Sequence, residues 1–143
     1  MNMKTHTLGF IFNRELDHVL LIKKRRPVWQ QGRINGVGGK IELGEESAQC
    51  MVREASEECG LESVTENWTF VGSMEGALWS VDVYALVYRG ARDSIRTTTD
   101  EEVAWHTVAA LPEDVLSNVP WLVHLAIDKL RHGKFHFCTV RYR

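Results

Sequence analysis

The sequence predicts a single mixed α/β domain, on three observations. Runs rich in β-branched and aromatic residues fall early and in the middle of the chain. Two segments, 47–59 and 121–130, repeat apolar residues at helical spacing. The stretches between strands are too short for regular crossovers joining parallel neighbours. With 143 residues, 44% of them hydrophobic and 25% charged, the chain has ordinary globular composition and enough length for one core.

Taken in order, residues 7–12 and 19–22 read as two strands of a hairpin across 13–18. A basic and polar loop, 23–33, follows. Asn35-Gly-Val-Gly-Gly39 is expected to turn sharply or to approach a ligand, because three glycines remove the Cβ atoms that would stand in the way. Gly44 closes the next turn. Residues 47–59 form the first helix, and Gly60 stands where a left-handed residue would end it. Strands are expected at 68–74, 78–88 and 103–108, with a polar loop at 89–100. Pro112-Glu-Asp114 is expected to start a short helix. Trp121, Leu122, Leu125, Ala126 and Leu130 mark a further helix, and 134–141 alternates as a last strand. No repeat or linker divides the chain.

The net charge of −2, with a pI near 6.3 and no long basic tract, argues against a stable nucleic-acid partner held through phosphate contacts. A small anionic ligand remains compatible. The apolar run 8–12 is too short for a signal sequence, and no stretch has the length of a membrane span. The expectation is a cytoplasmic monomer or homodimer with no membrane partner. Cys50, Cys59 and Cys138 lack paired spacing and read as ordinary thiols.

Residues 39–62 hold seven glutamates against Lys40 and Arg53, a local charge of −5 in a chain that is otherwise nearly balanced. Such a stretch either solvates a surface helix or builds a cation site. At about 100° per residue, Glu54, Glu57 and Glu58 share one helical face, beside an apolar face of Ala48, Met51, Val52, Ala55 and Cys59. Like charges at this spacing want a counter-ion. The acids are expected to lack basic partners one turn away, and a glycine-rich segment precedes them; both points favour the cation site. Hard carboxylate oxygens suit Mg²⁺ or Mn²⁺ rather than zinc.

Gly39, five residues, Glu45, seven residues, then Arg53-Glu54-Ala55-Ser56-Glu57-Glu58-Cys59-Gly60-Leu61 resembles the signature of the Nudix hydrolases, departing from it only at Ala55. The resemblance implies an α/β/α sandwich around a mixed central sheet and hydrolysis of a nucleoside diphosphate linked to another group. It implies that Glu54, Glu57 and Glu58 hold Mg²⁺, or Mn²⁺, beside the Gly38 backbone. Arg53 and Glu45 would form a structural ion pair, with Gly39 and Gly60 completing the motif. Glu57, Glu54 and the loop residue Glu101, with Glu102 next, are the candidates for activating water.

Outside the signature, Asn35-Gly-Val-Gly-Gly-Lys40 and Ser117-Asn118-Val119-Pro120 resemble stretches of the MutT-like subgroup that cleaves oxidised purine nucleoside triphosphates. This implies base recognition by Asn35 and Asn118, whose amides both donate and accept. Lys40 is a candidate phosphate contact, and of the four basic residues after the second strand, Lys23, Lys24, Arg25 and Arg26, one or two are expected to reach phosphates, Arg25 first. Asn118 reads equally as a helix N-cap, and Asn35 as a turn residue. Trp29, Trp79 and Trp121 are open to core or stacking roles. The implied reaction is metal-dependent cleavage of a nucleoside triphosphate, such as 8-oxo-dGTP, to monophosphate and pyrophosphate. Alternatives are a nucleotide sugar, a capped RNA end, or a silent nucleotide-sensing domain.

Overall fold

Alternation along the strands sorts the apolar side chains onto two faces, and a helix covers each. A computed structural model describes residues 3–143. In β1 (Lys4–Phe12) and β2 (His18–Lys23), Leu8, Phe10, Phe12, Val19 and Leu21 point into one core. Ile11, Leu20 and Ile22 point into the other. The first core is closed by α2 (Val119–His132) through Val119, Leu122, Val123, Ala126 and Ile127. The second is closed by α1 (Ser47–Cys59) through Met51, Ala55 and Cys59. Two-sided burial explains why β1 and β2 read as continuous apolar runs. The arrangement is an α/β/α sandwich around a mixed sheet.

Further strands are β3 (Ile34–Asn35), β4 (Val37–Lys40), β5 (Thr69–Glu75), β6 (Trp79–Val87), β7 (Val103–Thr107) and β8 (Cys138–Arg141). The main path runs β3-β2-β1-β6-β5-β8, with β4 paired to β1 and β7 to β2. The β1/β6 and β5/β8 pairs are parallel, and the remaining pairs antiparallel. One edge of β1 is filled along its length by β6. Its other edge is shared: β2 pairs at Ile11 and Phe12, β4 at His6 to Gly9. The segment 34–40 therefore fills the wedge where β1 and β2 part, following β2 first and β1 afterwards.

Within that segment, 35–39 was expected to turn sharply or to approach a ligand; it does not turn but belongs to a pair of short strands. The glycines serve close strand approach: a Cβ on Gly36 would lie 2.7 Å from the Gly9 carbonyl oxygen, and one on Gly38 would collide with the Thr7 carbonyl. Residues 112–114 are not helical either. Ile34 N–H donates to the Asp114 carbonyl at 3.0 Å and Leu116 N–H to that of Ile34 at 2.9 Å, which draws the chain into a bridge between Ile34 and Val115. Arg33 adds hydrogen bonds to the Asp114 and Val115 carbonyls at 3.1 and 2.9 Å. The last strand begins at Cys138 rather than 134, since the Lys129 ammonium takes the carbonyls of Phe135 and His136. Among the described residues, no helix is long and apolar enough to cross a membrane. Cys50 and Cys59 are buried, Cys138 is half-buried, and all three are free thiols.

The wedge segment generates a test of packing. Gly36→Ala should cost about 1–3 kcal/mol, the usual penalty of forcing an extra carbon into a filled interior, read as a lower urea midpoint with an unchanged slope.

Candidate active site

Helix α1 begins where the Glu46 N–H donates to the Gln49 carboxamide at 2.9 Å. It ends at Gly60, whose φ of 74° a side-chain-bearing residue adopts reluctantly. Gly60 N–H donates to Ser56 and Leu61 N–H to Ala55, which satisfies the last turn. Between these ends the apolar stripe seats the helix on β4 and β1, so its acidic face meets the Gly38–Lys40 backbone.

Arg53 organises this face. Its guanidinium donates to Glu45 at 2.8 and 3.0 Å, to Glu54 at 3.0 Å, to Glu57 at 3.3 Å and to the Lys40 carbonyl at 3.1 Å. Hydrogen bonds from Arg53, then from the Glu42 N–H, hold the Glu45 carboxyl down at about 2. The Glu45 hydrogen bonds in turn raise Arg53 above its ordinary value. The anticipated ion pair is present. The expected absence of basic partners on the acids does not hold, since Arg53 reaches Glu57 one turn away.

Glu58 is 7% exposed, and its Oε1 accepts the Gly38 N–H at 2.9 Å. Burial pushes its carboxyl up to about 8, against the nearby charge of Lys24, while the charge of Glu54 adds to the rise. Burial likewise raises Glu54, whose attraction to Arg53 is too weak to offset it; its side chain lies within hydrogen-bonding reach of Glu58. A Cβ on Gly39 would overlap the Glu54 carboxylate, so a side chain there would displace Glu54 from its present position. Glu54 and Glu58 thus sit together, whereas Glu57 is half exposed and turned to Arg53. Among the described residues, no three His, Cys, Asp or Glu side chains converge as a ready metal cage.

Of the four basic residues at 23–26, Lys24, rather than Arg25, is the one whose side chain reaches the acids of the site. Its ammonium lies 3.1 Å from Glu101 with only 14% of the side chain exposed, and its charge acts on Glu58. The signal was parity: Leu20 and Ile22 face α1, and a residue two further along the same strand direction faces it too. Glu101, 5% exposed, also accepts the N–H groups of Arg25 at 2.7 Å and Arg26 at 3.3 Å. Burial would raise its carboxyl, but these backbone donors and Lys24 outweigh it and the net effect is a lowering.

The remaining candidates lie apart from the acids. Arg25 contributes its backbone to Glu101 while its side chain is exposed. The Lys40 side chain is exposed, and its carbonyl serves Arg53. Asn35 donates to Gln30 at 3.3 Å and accepts from the Gly36 N–H at 2.8 Å. Asn118 precedes α2 without capping it through its side chain, which instead donates to the Met74 sulfur at 3.3 Å.

The NUDIX domain family model matches residues 3–125. The chain belongs to the Nudix family. Its fold is that of MutT-like proteins. It is similar to a MutT studied in Aliivibrio salmonicida and Vibrio cholerae, at 23% identity and TM-score 0.69, over 89% of this chain and 99% of that one. It is similar to a MutT NUDIX hydrolase of Burkholderia pseudomallei, at 20% identity and TM-score 0.70, over 87% and 98%. A NUDIX-family hydrolase of Clostridium perfringens matches at 19% identity and TM-score 0.69, over 91% and 99%. No curated protein sequence matches the chain. As a Nudix hydrolase it is an enzyme of a family that acts on nucleotides and generally depends on divalent metal.

The Arg53 cluster predicts an acid-labile brace. Glu45 ionises from about 2 in the fold against 4.5 as its ordinary value. Its contribution is present above the upper value and lost as pH falls towards the lower, because the unfolded chain binds the proton first. Arg53→Lys should flatten this acid limb of a stability–pH curve measured by urea unfolding.

Proposed function

We propose that the chain is a Mg²⁺-dependent pyrophosphohydrolase that cleaves a nucleoside triphosphate, a purine nucleotide such as 8-oxo-dGTP in the first instance, to monophosphate and pyrophosphate. The observation that carries this is the Glu54–Glu58 pair: two carboxylates brought together at the base of the glycine-rich strand, with Glu58 buried and, among the described residues, in no salt bridge. Two like charges withdrawn from water require a proton or a cation between them. The donor set is hard oxygen, which fits Mg²⁺ or Mn²⁺.

In this reading Glu54, Glu57 and Glu58 hold the metal, and the Gly38 N–H keeps Glu58 aimed inward. The metal, when bound, offsets the charge of the phosphate oxygens. Gly39 leaves room for the Glu54 carboxylate against the strand, and Arg53 holds that carboxylate in place. Glu57 is the member of the set exposed to solvent, so it is placed to take the proton from an attacking water. Glu101, with both oxygens engaged and its carboxyl lowered, is a poor base in this arrangement. We assign it to holding Lys24, whose charge acts on Glu58 and which is the basic side chain we place on the substrate phosphates.

Product chromatography on a panel of nucleoside triphosphates, nucleotide sugars and a capped RNA, with Mg²⁺ or Mn²⁺, tests the reading. Cleavage of a triphosphate to monophosphate and pyrophosphate is expected; turnover of a nucleotide sugar alone would overturn the substrate class. Glu57→Gln should reduce turnover at least about a thousandfold, the order seen when a principal charge-stabilising group is lost. Glu58→Gln should abolish turnover as well, yet raise the thermal midpoint of the EDTA-treated protein at pH about 9, above the carboxyl's value of about 8, because there a neutral amide keeps the acceptor for Gly38 and removes a buried like charge. A lower midpoint in that variant would contradict the account of the pair.

A further inference from the structure

Helix α1 ends, as helices do, with carbonyls that its own last turn cannot satisfy. The Gly60 and Leu61 N–H groups reach back to Ser56 and Ala55, which leaves the later carbonyls to find partners elsewhere. Two of them are taken by the loop before β7. The Thr98 hydroxyl donates to the Glu57 carbonyl at 2.6 Å, and the Arg96 N–H donates to the Cys59 carbonyl at 3.1 Å. These carbonyls belong to the residues on either side of Glu58. The backbone that carries the buried acid is therefore held from outside the helix.

The loop is itself tied down. Ile95 is buried in the α1-side core, and the three threonines that follow Arg96 turn their hydroxyls to three different partners. Thr97 accepts the Val103 N–H at 3.0 Å, Thr98 reaches the helix, and Thr99 accepts the Glu101 N–H at 3.1 Å. A hydroxyl can donate or accept, which lets one residue type serve all three. Glu101 then holds the Lys24 ammonium at 3.1 Å. Residues 96–101 thus strap the end of α1 to the lysine that faces its acids. The strap has something to resist: Glu54 and Glu58 are like charges one turn apart, a spacing that destabilises the turn between them.

We propose that Thr98 is a positioning residue for the metal-binding acids: its hydroxyl, together with the Arg96 N–H, fixes the last turn of α1 and so the aim of Glu57 and Glu58 relative to Lys24. This rests on the reading of Glu54, Glu57 and Glu58 as the metal set. It adds a residue outside the Nudix signature that acts only through them. Thr98 is exposed, so loss of its hydroxyl leaves the core intact.

Mn²⁺ binding to the substrate-free protein, read from the electron paramagnetic resonance signal of the free ion, tests the proposal in Thr98→Val and Thr98→Ser. Steady-state kinetics on a nucleoside triphosphate provide the second measurement. Thr98→Val should weaken Mn²⁺ binding and lower kcat, each by about three- to tenfold, the range that one hydrogen bond spans, with KM for the nucleotide little changed. Thr98→Ser, which keeps the donor, should restore both. A Thr98→Val protein with a lowered thermal midpoint but the Mn²⁺ affinity of the parent would make the residue a support of the fold alone and overturn the proposal. Failure of Thr98→Ser to restore Mn²⁺ binding would overturn it too, and in either case the hydrolase reading stands. A parent chain that binds Mn²⁺ but cleaves no nucleoside triphosphate would remove the substrate class while the Mn²⁺ measurement still decides the role of Thr98. A parent that binds no Mn²⁺ would remove the metal reading and this proposal together.

Discussion

The structure depends on one guanidinium. Arg53 ties together Glu45 from the loop before α1, Glu54 and Glu57 from the helix, and the Lys40 carbonyl from β4. Arg is suited to this because its planar fork keeps its charge at any accessible pH and offers donors in several directions at once. A lysine would supply the charge but not the fan of bonds. Arg53 has only a quarter of its side chain exposed, so these bonds are little screened by water. They set where the loop ends and the helix face begins, and hence where Glu54 lies against Gly39.

Around that hub the site is a managed conflict of charges. Three carboxylates are gathered by Arg53 while Glu58 is turned away from it into a buried position, where the Gly38 N–H and the nearby charge of Lys24 are its support. Such an arrangement gives up stability in the empty protein, since a buried carboxylate must be protonated or repelled. The fold tolerates it because the sheet beneath is covered on both faces and the strain is local.

Much of this was legible from residue order. Helix α1 falls at 47–59 as expected because its apolar stripe, its acidic face and its terminal glycine agree on one element. At 35–39 the turn alternative fails because glycine signals either a turn or a close approach, and only the partners decide: here Gly9 and Thr7 carbonyls lie where Cβ atoms would stand. The bridge of Ile34 to Val115 overrode the helical tendency at 112–114, since a long-range backbone pairing leaves no trace in local spacing. Lys24 was seen only as one of four basic loop residues, although the period-two rule applied past the strand end would have aimed it at the acids. Glu101 was read as a loop acid and candidate base; its burial could not be foreseen because its partners, two backbone N–H groups and Lys24, come from a segment far away in sequence.

The close approach of β8 to β5 carries a consequence for how such a chain can change over time. A Cβ on Gly72 would overlap the Cys138 carbonyl, so the parallel pairing of these two strands is possible only while position 72 bears no side chain. Gly72 lies within the family-matched residues and Cys138 outside them. Position 72 is thereby held to glycine by a strand far along the chain rather than by its own neighbours. A side chain there would unseat the terminal strand and bare the β5 edge, turning a local substitution into an open sheet edge.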